Sequence, residues 1–297
     1  MLSSGSYADV LEPGLRKVFA DVFYQESQQS IASILFNVQE SRKAQEHDLE
    51  MGDVADFAPF TGQVSYDDTG EGYKTNYVHQ EFARGMKVER KLVDDDLYNV
   101  IARRPQQLGL AAFRKRETDA ASVFNNAFVT NITGGDGLCL GNAAHTSNNG
   151  GSTQSNTGST ALSPTEVDTA RIKMVKFKSN RDNPLTIQPD MLIVPVDLES
   201  YAYEIINSRG KVDTAQNNVN FHVGRYKLVV WPNYLSSTTR WFFVDSKIMK
   251  MYLNWFDRIT PQFYKDTDFD TLVAKFAGYM RYSYGWSDWR WVYAENA

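Results

Sequence analysis

The sequence has almost no cysteine, since Cys139 is the single one among 297 residues. One thiol can form no intramolecular disulfide and no CxxC zinc site. The chain also lacks any run of about 18 apolar residues, and its N-terminus lacks the basic start and apolar stretch of a signal peptide. We therefore expect a protein that is made and kept in the cytoplasm and that has no contact with a membrane.

Positive charge is also scarce: 31 Lys and Arg stand against 36 Asp and Glu, for a formal net charge of -5. Such a chain has no long-range attraction to nucleic acid phosphates, which disfavours a DNA-coating role, although a local basic patch stays open. With 42% hydrophobic and 23% charged residues, the composition is that of a globular protein. The length suits about two domains, or one elaborated domain.

Nucleotide and metal motifs are missing as well. No Lys-Ser/Thr pair follows the glycines of GGDGLCLG, and their spacing does not fit GxGxxG. DTDFD begins like a calcium loop, but Thr271 stands in place of the turn glycine and Ala277 in place of the closing carboxylate. The histidines, at positions 47, 79, 145 and 222, have no paired ligand spacing. We expect no metal and no cofactor.

Two groups of residues could carry chemistry. Cys139, His145 and Asp136 could form a nucleophile set, but a glycine-rich loop seldom gives a thiolate an orienting pocket. Asp94–Asp96 or Asp266–Asp270, with the C-terminal tryptophans, could belong to a hydrolase or a carbohydrate-binding protein. The structural explanation is stronger, because carboxylates stabilise a helix N-terminus and aromatic residues at strand spacing pack in a sheet. We expect no enzyme.

What the sequence does contain begins with two strand patterns between Val64 and Arg90. Tyr73, Thr75 and Tyr77 fall on one face of a strand, and residues 82, 84, 86 and 88 alternate in the same way. The stretch predicts a β-hairpin that has charges on both faces and no hydrophobic core of its own. Because two strands alone are marginal in water, this hairpin needs another surface to pack against.

Helical spacing appears on both sides of the hairpin. An apolar stripe from Leu108 to Phe128 predicts one long helix over about 105–133, ended by Gly134 and Gly135. A shorter stripe from Leu11 to Val22 predicts a short helix on an otherwise extended N-terminal stretch. Residues 147–160 contain only Ser, Thr, Asn, Gln and Gly, so we expect an exposed loop there.

The second half of the chain mixes helices and strands. Ser163 as N-cap, with Pro164 and Glu166 after it, predicts a helix start. Met191–Val196 predicts a buried strand, and Asp197 a cap for the helix that follows. YKLVVWPNY and RWFFVDSKIMKMYLNW predict further strands, the latter interrupted near Asp245, and the tail predicts paired strands that turn near Gly285. The whole is an α+β unit in which helices cover a mixed sheet.

This order of elements resembles that of the major capsid proteins of tailed bacteriophages, which have the HK97-like fold, over essentially the whole chain. QPDMLIVPVDLESYAYEIINS is similar to the strand and helix that begin the family's axial domain. GDGLCLGNAAHTSNNGG is similar to the loop after the spine helix in Mu-like head subunits, and KFAGYMRYSYGWSDWRWVYA to the family's closing strands. The resemblance implies the same α+β architecture for this chain.

The resemblance also divides the chain. Residues 1–50 are then the N-terminal arm, 51–92 the extended hairpin or E-loop, 93–164 the peripheral domain with its spine helix and Gly/Ser/Asn-rich loop, 165–260 mainly the axial domain, and 261–297 the C-terminal strands that return to the sheet. The family lays its E-loop across a neighbouring subunit, which implies Tyr66, Tyr73, Lys74 and Tyr77 as inter-subunit contacts. Some members link an E-loop lysine to a neighbour's asparagine, and Lys74 is the candidate here, although no catalytic carboxylate matches a motif.

The implied function is that of a major capsid protein. Copies would assemble as hexamers and pentamers into an icosahedral shell in the bacterial host's cytoplasm and remain in the virion, enclosing double-stranded DNA without sequence-specific binding. The implied partners are a portal, a decoration protein and a separate scaffolding protein, since the N-terminal arm is too short to contain a scaffolding segment. An encapsulin-like compartment for cargo enzyme is the alternative with the same fold.

Overall fold

The computed structural model describes residues 6–54, 56–57, 59–60, 62–64, 66, 70–89, 100–210, 218–268 and 273–297. The helices in this part of the chain are α1 (Ser6–Ser27), α2 (Ile31–Leu35), α3 (Val100–Asn125), α4 (Pro164–Val175), α5 (Glu199–Asn207) and α6 (Ser246–Tyr252). The strands are β1 (Asn37–Glu40), β2 (Gln45–Met51), β3 (Glu71–Val78), β4 (Gln80–Glu89), β5 (Thr157–Gly158), β6 (Met191–Val194), β7 (Lys227–Val230), β8 (Trp241–Val244), β9 (Leu253–Asp268), β10 (Val273–Trp286) and β11 (Val292–Glu295). The architecture is α+β, as predicted.

The first sheet has four strands in the order β1-β9-β10-β4. Its centre is the long antiparallel pair of β9 and β10, which runs from Asp268 opposite Val273 to Leu253 opposite Trp286. The strand β4 pairs antiparallel with β10, and β1 pairs parallel with β9. Helices α1 and α3 pack against each other and on this sheet. Between them lies a small hydrophobic cluster of Leu15, Phe19, Val88, Leu108, Phe263, Ala274 and Phe276.

The pairing predicted for the hairpin between Val64 and Arg90 is wrong. The strand β3 pairs with β2, from Gln45 opposite Val78 to Met51 opposite Glu71, whereas β4 pairs with β10. Only His79 separates β3 from β4. Because the commonest hairpin turns need two residues or more, no turn at this point can place the two strands side by side. Alternation in the sequence identified both strands but not their partners. We call residues 45–78 the ribbon and residues 52–70 the ribbon tip.

The long helix α3 begins at Val100 and ends at Asn125, so its predicted end near residue 133 is wrong. The Asn125 side chain bonds a loop of the other sheet: Nδ2 donates to the carbonyl of Tyr234 at 2.8 Å, and Oδ1 accepts from the amide of Ser236 at 2.9 Å. Arg240 Nη1 donates to the Asn125 carbonyl at 3.0 Å. This bond satisfies one of the carbonyls that a helix end leaves without an internal partner.

The N-terminal segment is more folded than predicted. The helix α1 is 22 residues long, not a short helix on an extended arm. Leu15 and Phe19 of the predicted stripe are buried against α3 and the four-stranded sheet. Burial of this apolar stripe against the rest of the fold stabilises the helix. The polar residues between the stripe positions did not indicate a helix in the sequence.

The second sheet has five strands in the order β5-β11-β8-β6-β7. Every residue of β6, β8 and β11 is buried. The helix α4 starts as predicted, because the amide of Glu166 donates to Ser163 Oγ at 3.1 Å. Val167, Ala170, Met174 and Phe177 are all buried, which confirms its predicted apolar face. Two strands of this sheet, β5 and β11, lie outside residues 165–260, the range given above mainly to the axial domain. The domain boundaries stay a prediction.

Two predicted details of this half are wrong. Asp197 makes no cap bond, because it lies in a 3₁₀ turn (Val196–Leu198) that precedes α5, and α5 has no side-chain N-cap. The segment after Asp245 is helix α6, not strand. Asp245 Oδ1 accepts from the amides of Lys247 and Ile248 at 3.0 and 3.1 Å, and this N-cap outweighs the strand pattern of the sequence around it.

The tail and the polar loop also differ from prediction. The strands β10 and β11 do not pair with each other, since β11 lies between β5 and β8 in the second sheet. The stretch 147–160 is not wholly exposed, because Asn156 is completely buried. Its Nδ2 donates to the carbonyls of Leu140 and Val292 at 2.8 and 3.3 Å. These hydrogen bonds order a loop segment that has no apolar side chains to bury.

Candidate functional site

The ribbon is built on a separate two-stranded sheet of β2 and β3. Its strands carry alternating exposed and half-buried residues, and the register shifts between Leu49 and Met51. Gly72 lies at this shift, where an added Cβ would approach the backbone oxygen of Glu50 to 2.5 Å. The close approach requires a residue without a side chain. The ribbon therefore depends on glycine at the point where its regular pairing ends.

The ribbon and its tip expose large apolar side chains. Phe57 is fully exposed, Tyr66 is 94% exposed and Met51 77% exposed. Other exposed apolar residues of this segment are Leu49, Val54, Phe60 and Val64. Exposed apolar groups gathered on one segment are typical of a surface that another protein covers. Tyr66 was predicted as an inter-subunit contact, whereas the other residues were not, although DVADFAPF, with its aromatic residues outside any helix or strand pattern, held the signal.

The same segment is strongly acidic. Residues 45–73 contain eight Asp and Glu and no Lys or Arg, as read from the sequence. Charge of one sign concentrated on one segment selects partners of the opposite charge and speeds their encounter. The ribbon thus combines exposed apolar surface with negative charge, which favours a positively charged partner.

Polar contacts hold the ribbon tip against loops of its own chain. The backbone amide of Asp53 donates to Asn180 Oδ1 at 3.1 Å, and Asp53 Oδ2 accepts from Asn183 Nδ2 at 2.7 Å. The bonds from Asn183 and Ser179 lower the pKa of Asp53. Asn148 Nδ2 donates to the carbonyl of Glu71 at 3.2 Å. The contacts that seat the tip are thus largely hydrogen bonds, and they leave its aromatic residues exposed.

A partly buried charge cluster joins the ribbon to the second sheet. Arg290 Nη1 lies 2.7 Å from Asp288 Oδ2 and 3.4 Å from Glu50 Oε1. Burial, followed by the nearby Asp288 carboxylate, raises the pKa of Glu50. The carboxylates of Asp288 and Glu50 thus share one guanidinium, and Glu50, which belongs to the ribbon, is the more distant of the two.

His79 lies where the ribbon leaves the four-stranded sheet. Its Nε2 is 3.0 Å from Ser41 Oγ, and its Nδ1 is 2.9 Å from Ser283 Oγ on β10. Burial lowers the pKa of His79, with Arg281 adding to the effect. A neutral imidazole between two hydroxyls thus connects the base of the ribbon to the sheet.

The four residues predicted as inter-subunit contacts have different environments. Tyr66 lies on the exposed tip, and Lys74 is exposed on β3 opposite Leu49, away from the tip. Tyr73 is half-buried, with its hydroxyl 3.2 Å from Thr146 Oγ1. Tyr77 is 3% exposed and packs on Phe256 of its own chain at a ring distance of 5.1 Å, and its assignment as an inter-subunit contact stays a prediction.

Cys139, His145 and Asp136, the alternative nucleophile set that was disfavoured from the sequence, are not arranged as a nucleophile with its base. His145 Nδ1 lies 2.6 Å from Asp136 Oδ2, and its Nε2 lies 3.1 Å from Asn156 Oδ1. Cys139 is buried and donates to the carbonyl of Gly141 at 3.4 Å instead. The imidazole stacks on Trp289 with ring centroids 4.3 Å apart. Its two polar neighbours and the stacked indole give His145 a structural role in the loop.

The sugar-binding alternative needs an exposed aromatic platform, and the tryptophans do not provide one. All six are buried: Trp231, Trp241, Trp255, Trp286, Trp289 and Trp291. Asp268 lies 3.1 Å from Lys275 Nζ across the β9–β10 pair. Asp94–Asp96 and Asp270 lie outside the described residues. The aromatic residues of the tail therefore form core, as the strand spacing predicted.

Within the described ranges, no helix is long and apolar enough to cross a bilayer. No group of three or more His, Cys, Asp and Glu side chains in the same ranges is arranged to hold a metal ion.

Comparison with known proteins gives a consistent result. A family model described as phage capsid protein matches residues 72–294. No curated protein sequence matches the chain. The chain is similar to the capsid protein of bacteriophage JBD30 decorated with minor capsid protein trimers (15% identity, TM-score 0.55, 68% of this chain and 90% of that chain). It is also similar to a protein of Microbacterium phage Oxtober96 (12%, 0.58, 90% and 90%) and to a protein of the capsid of cyanophage P-SCSP1u (12%, 0.60, 90% and 87%).

Proposed function

The chain belongs to the phage capsid protein family and is a major capsid protein with the HK97-like fold, and we propose that its ribbon joins subunits into a closed shell. Copies form hexamers and pentamers, and these build an icosahedral capsid around double-stranded DNA. The exposed apolar ribbon tip carries this proposal, because Phe57 and Tyr66 have no cover in the single chain. Another subunit supplies that cover.

The family assignment favours a viral shell over an encapsulin-like compartment. It also describes a structural protein, which supports association, not catalysis, as the chemistry of this chain. Each subunit makes several contacts of modest strength, and their sum stabilises the shell. The ribbon contributes one of them.

Further partners belong to this proposal. The similar JBD30 capsid is decorated with minor capsid protein trimers, which supports a decoration protein here. A scaffolding protein directs assembly in the host cytoplasm, and a portal occupies one vertex of the virion shell. With a net charge of -5, the subunit binds the enclosed DNA without sequence preference and only weakly.

Electron microscopy of the purified protein tests the proposal. The chain is expressed with and without its neighbouring genes, fractionated by size and examined by negative stain. We expect hexamers, pentamers or closed shells tens of nanometres wide. A monodisperse monomer under both conditions would refute the shell function.

Two variants then test the role of the ribbon tip. Tyr66→Ser should abolish shells and leave the melting temperature of the subunit unchanged, since this exposed side chain contributes little to folding. Tyr24→Ser is the matched control, because Tyr24 is a 66% exposed tyrosine outside the ribbon. Shells formed by Tyr66→Ser and by Phe57→Ser at the wild-type yield would show that the tip makes no subunit contact.

A further inference from the structure

Asn149 and Gly150 form the single Asn-Gly pair of the sequence. In such a pair, the backbone nitrogen of the glycine can attack the side-chain amide carbon of the asparagine and close a five-membered ring. The reaction needs a glycine nitrogen without a hydrogen bond, an asparagine amide that no acceptor holds, and room for the ring. A residue with a Cβ crowds the ring closure, whereas glycine has no Cβ.

The Gly150 nitrogen is available for this attack. In the part of the chain that the structure describes, it donates no hydrogen bond, although both of its neighbours are held. The Asn149 amide donates to Ser147 Oγ at 3.2 Å. The Gly151 amide donates to the carbonyl of Asn180 at 3.0 Å. Gly150 itself is exposed, and an added Cβ would meet nothing within 4 Å, so the ring has room and water can take the proton.

The side-chain amide of Asn149 is also free to react. Its Nδ2 is buried and has no hydrogen-bond partner in the described chain. The amide lies against the base of the ribbon tip: an added Cβ on Gly52 would lie 3.2 Å from Nδ2, and one on Gly70 would collide with Oδ1. The Gly52 amide donates to the Gly70 carbonyl at 2.9 Å, which closes the tip at this point. Since an unpaired buried nitrogen costs free energy, the fold does not hold the leaving group in place.

We propose that Asn149 deamidates spontaneously in the folded protein, and that this change releases the ribbon tip from the loop at residues 147–151. The Gly150 nitrogen loses its proton to water and bonds to Asn149 Cγ. The Cγ–Nδ2 bond breaks, and the nitrogen leaves as ammonia after it takes a proton from water. A second water then opens the succinimide at either carbonyl and gives aspartate or isoaspartate. The inference does not depend on the proposed shell function.

Both products weaken the seat of the ribbon tip. Aspartate places a carboxylate where Asn149 has a buried neutral nitrogen, and a buried charge without a partner is costly. Isoaspartate also adds a methylene group to the main chain. The new charge faces residues 45–73, which contain eight Asp and Glu and no Lys or Arg. Arg290, a cation of this region, is already shared by Asp288 and Glu50.

Peptide mapping by mass spectrometry tests the chemistry. Purified wild-type protein is incubated at pH 6 and at pH 8, and aspartate and isoaspartate at position 149 are separated by chromatography and followed with time. We expect both products, formed several-fold faster at pH 8, since the attack needs a deprotonated amide. Asn156 is the internal control and should stay an amide, because its Nδ2 donates to two carbonyls. Gly150→Ala, whose methyl group crowds the ring, should slow the reaction at Asn149 at least several-fold.

Limited proteolysis tests the consequence. Asn149→Asp has the side chain of one product and should be cleaved within residues 52–70 at least several-fold faster than the wild type. Thr153→Asp adds the same charge at an exposed position nearby in the sequence and should be cleaved at the wild-type rate. The melting temperatures of both variants should match that of the wild type, because the described residues of the tip belong to neither hydrophobic cluster.

The outcomes separate this inference from the shell function. An unmodified Asn149 after incubation, or equal rates of modification at Asn149 and Asn156, would refute the proposed reaction. Cleavage of Asn149→Asp at the wild-type rate would refute the release of the tip. Both measurements use the free subunit, so failure of the chain to form shells would refute the proposed function alone.

Discussion

Arg116 on α3 and Asp257 on β9 form a two-bond ion pair, with Nη1 2.6 Å from Oδ1 and Nη2 2.9 Å from Oδ2. The indole nitrogen of Trp255 donates to the same Oδ1 at 2.9 Å, and the guanidinium lies 4.7 Å from the Trp255 ring centroid. Since Asp257 is 8% exposed, this pair fixes the long helix on the sheet that carries the ribbon.

Arg116→Ala should therefore lower the free energy of unfolding by about 3 kcal/mol, because it leaves a nearly buried carboxylate without its cation. Arg114→Ala, an exposed arginine on the same helix, should change it by less than about 0.5 kcal/mol. Denaturant titration of the subunits measures both. Equal stability of the two variants would mean that the pair does not hold α3 in place.

Tyr77 should contribute to the stability of its own chain. Its hydroxyl lies near Asn254 and Ser287 without a hydrogen bond of normal geometry, and burial raises its pKa to about 12. Tyr77→Phe should be neutral or slightly stabilising, since it removes a buried hydroxyl that has no partner. Tyr77→Ala should cost about 3–5 kcal/mol in thermal or denaturant unfolding, as for a buried aromatic residue. A harmless alanine would place Tyr77 outside the core.

Glu295 should make stability depend on pH. It is completely buried, and burial, with Glu166 adding to it, raises its pKa to about 7. The fold favours the protonated acid, so this stabilisation is complete below the unfolded pKa of about 4.3 and is lost as pH rises through about 7. Glu295→Gln, which mimics the protonated form, should unfold like wild type at pH 5.

At pH 8 the same variant should be more stable than wild type, by up to about 3 kcal/mol, since each pKa unit corresponds to about 1.36 kcal/mol. Glu204→Gln, an exposed residue of α5, is the control and should show no such trend. A Glu295→Gln gain that is equal at both pH values would exclude titration as its cause.

Gly72→Ala should loosen the ribbon without unfolding the protein. An added Cβ would collide with the backbone of Glu50, so β2 and β3 must separate locally. We expect at least several-fold faster proteolytic cleavage between residues 45 and 78, with a melting temperature within about 2 °C of wild type, because Gly72 and the strand residues next to it lie outside both hydrophobic clusters. Gly14→Ala, where an added Cβ meets nothing within 4 Å, is the control. Unchanged cleavage rates would show that the ribbon tolerates a side chain there.

Much of the fold could be predicted where a residue pattern reports burial or a cap directly. Ser163 and Glu166 mark the start of α4, and the uniform apolar run at Met191–Val194 marks a strand buried at every residue. The order of elements, compared with a known family, gave the fold. These signals are local, so a single sequence contains them.

The sequence did not predict which strands pair with each other, or which residues far apart in the sequence come into contact. The alternation of β4 was correct, but its partner β10 is about 190 residues away, and nothing within the strand specifies that pairing. The end of α3 depends on Tyr234, Ser236 and Arg240, which are 109, 111 and 115 residues from Asn125 in the sequence. Tyr77 and Tyr66 look alike in the sequence, yet packing buries one and exposes the other.

The distance between β4 and β10 also has a consequence for biosynthesis. The strand that continues the ribbon must wait, unpaired along its edge, until Val273 and the residues after it have left the ribosome. At about 5–20 residues per second, synthesis of the intervening segment takes roughly 10–40 s. A nascent chain therefore has no anchored ribbon, and truncated chains released early cannot complete the sheet that positions it. The sheet that positions the ribbon can therefore be completed only after β10 has been synthesised.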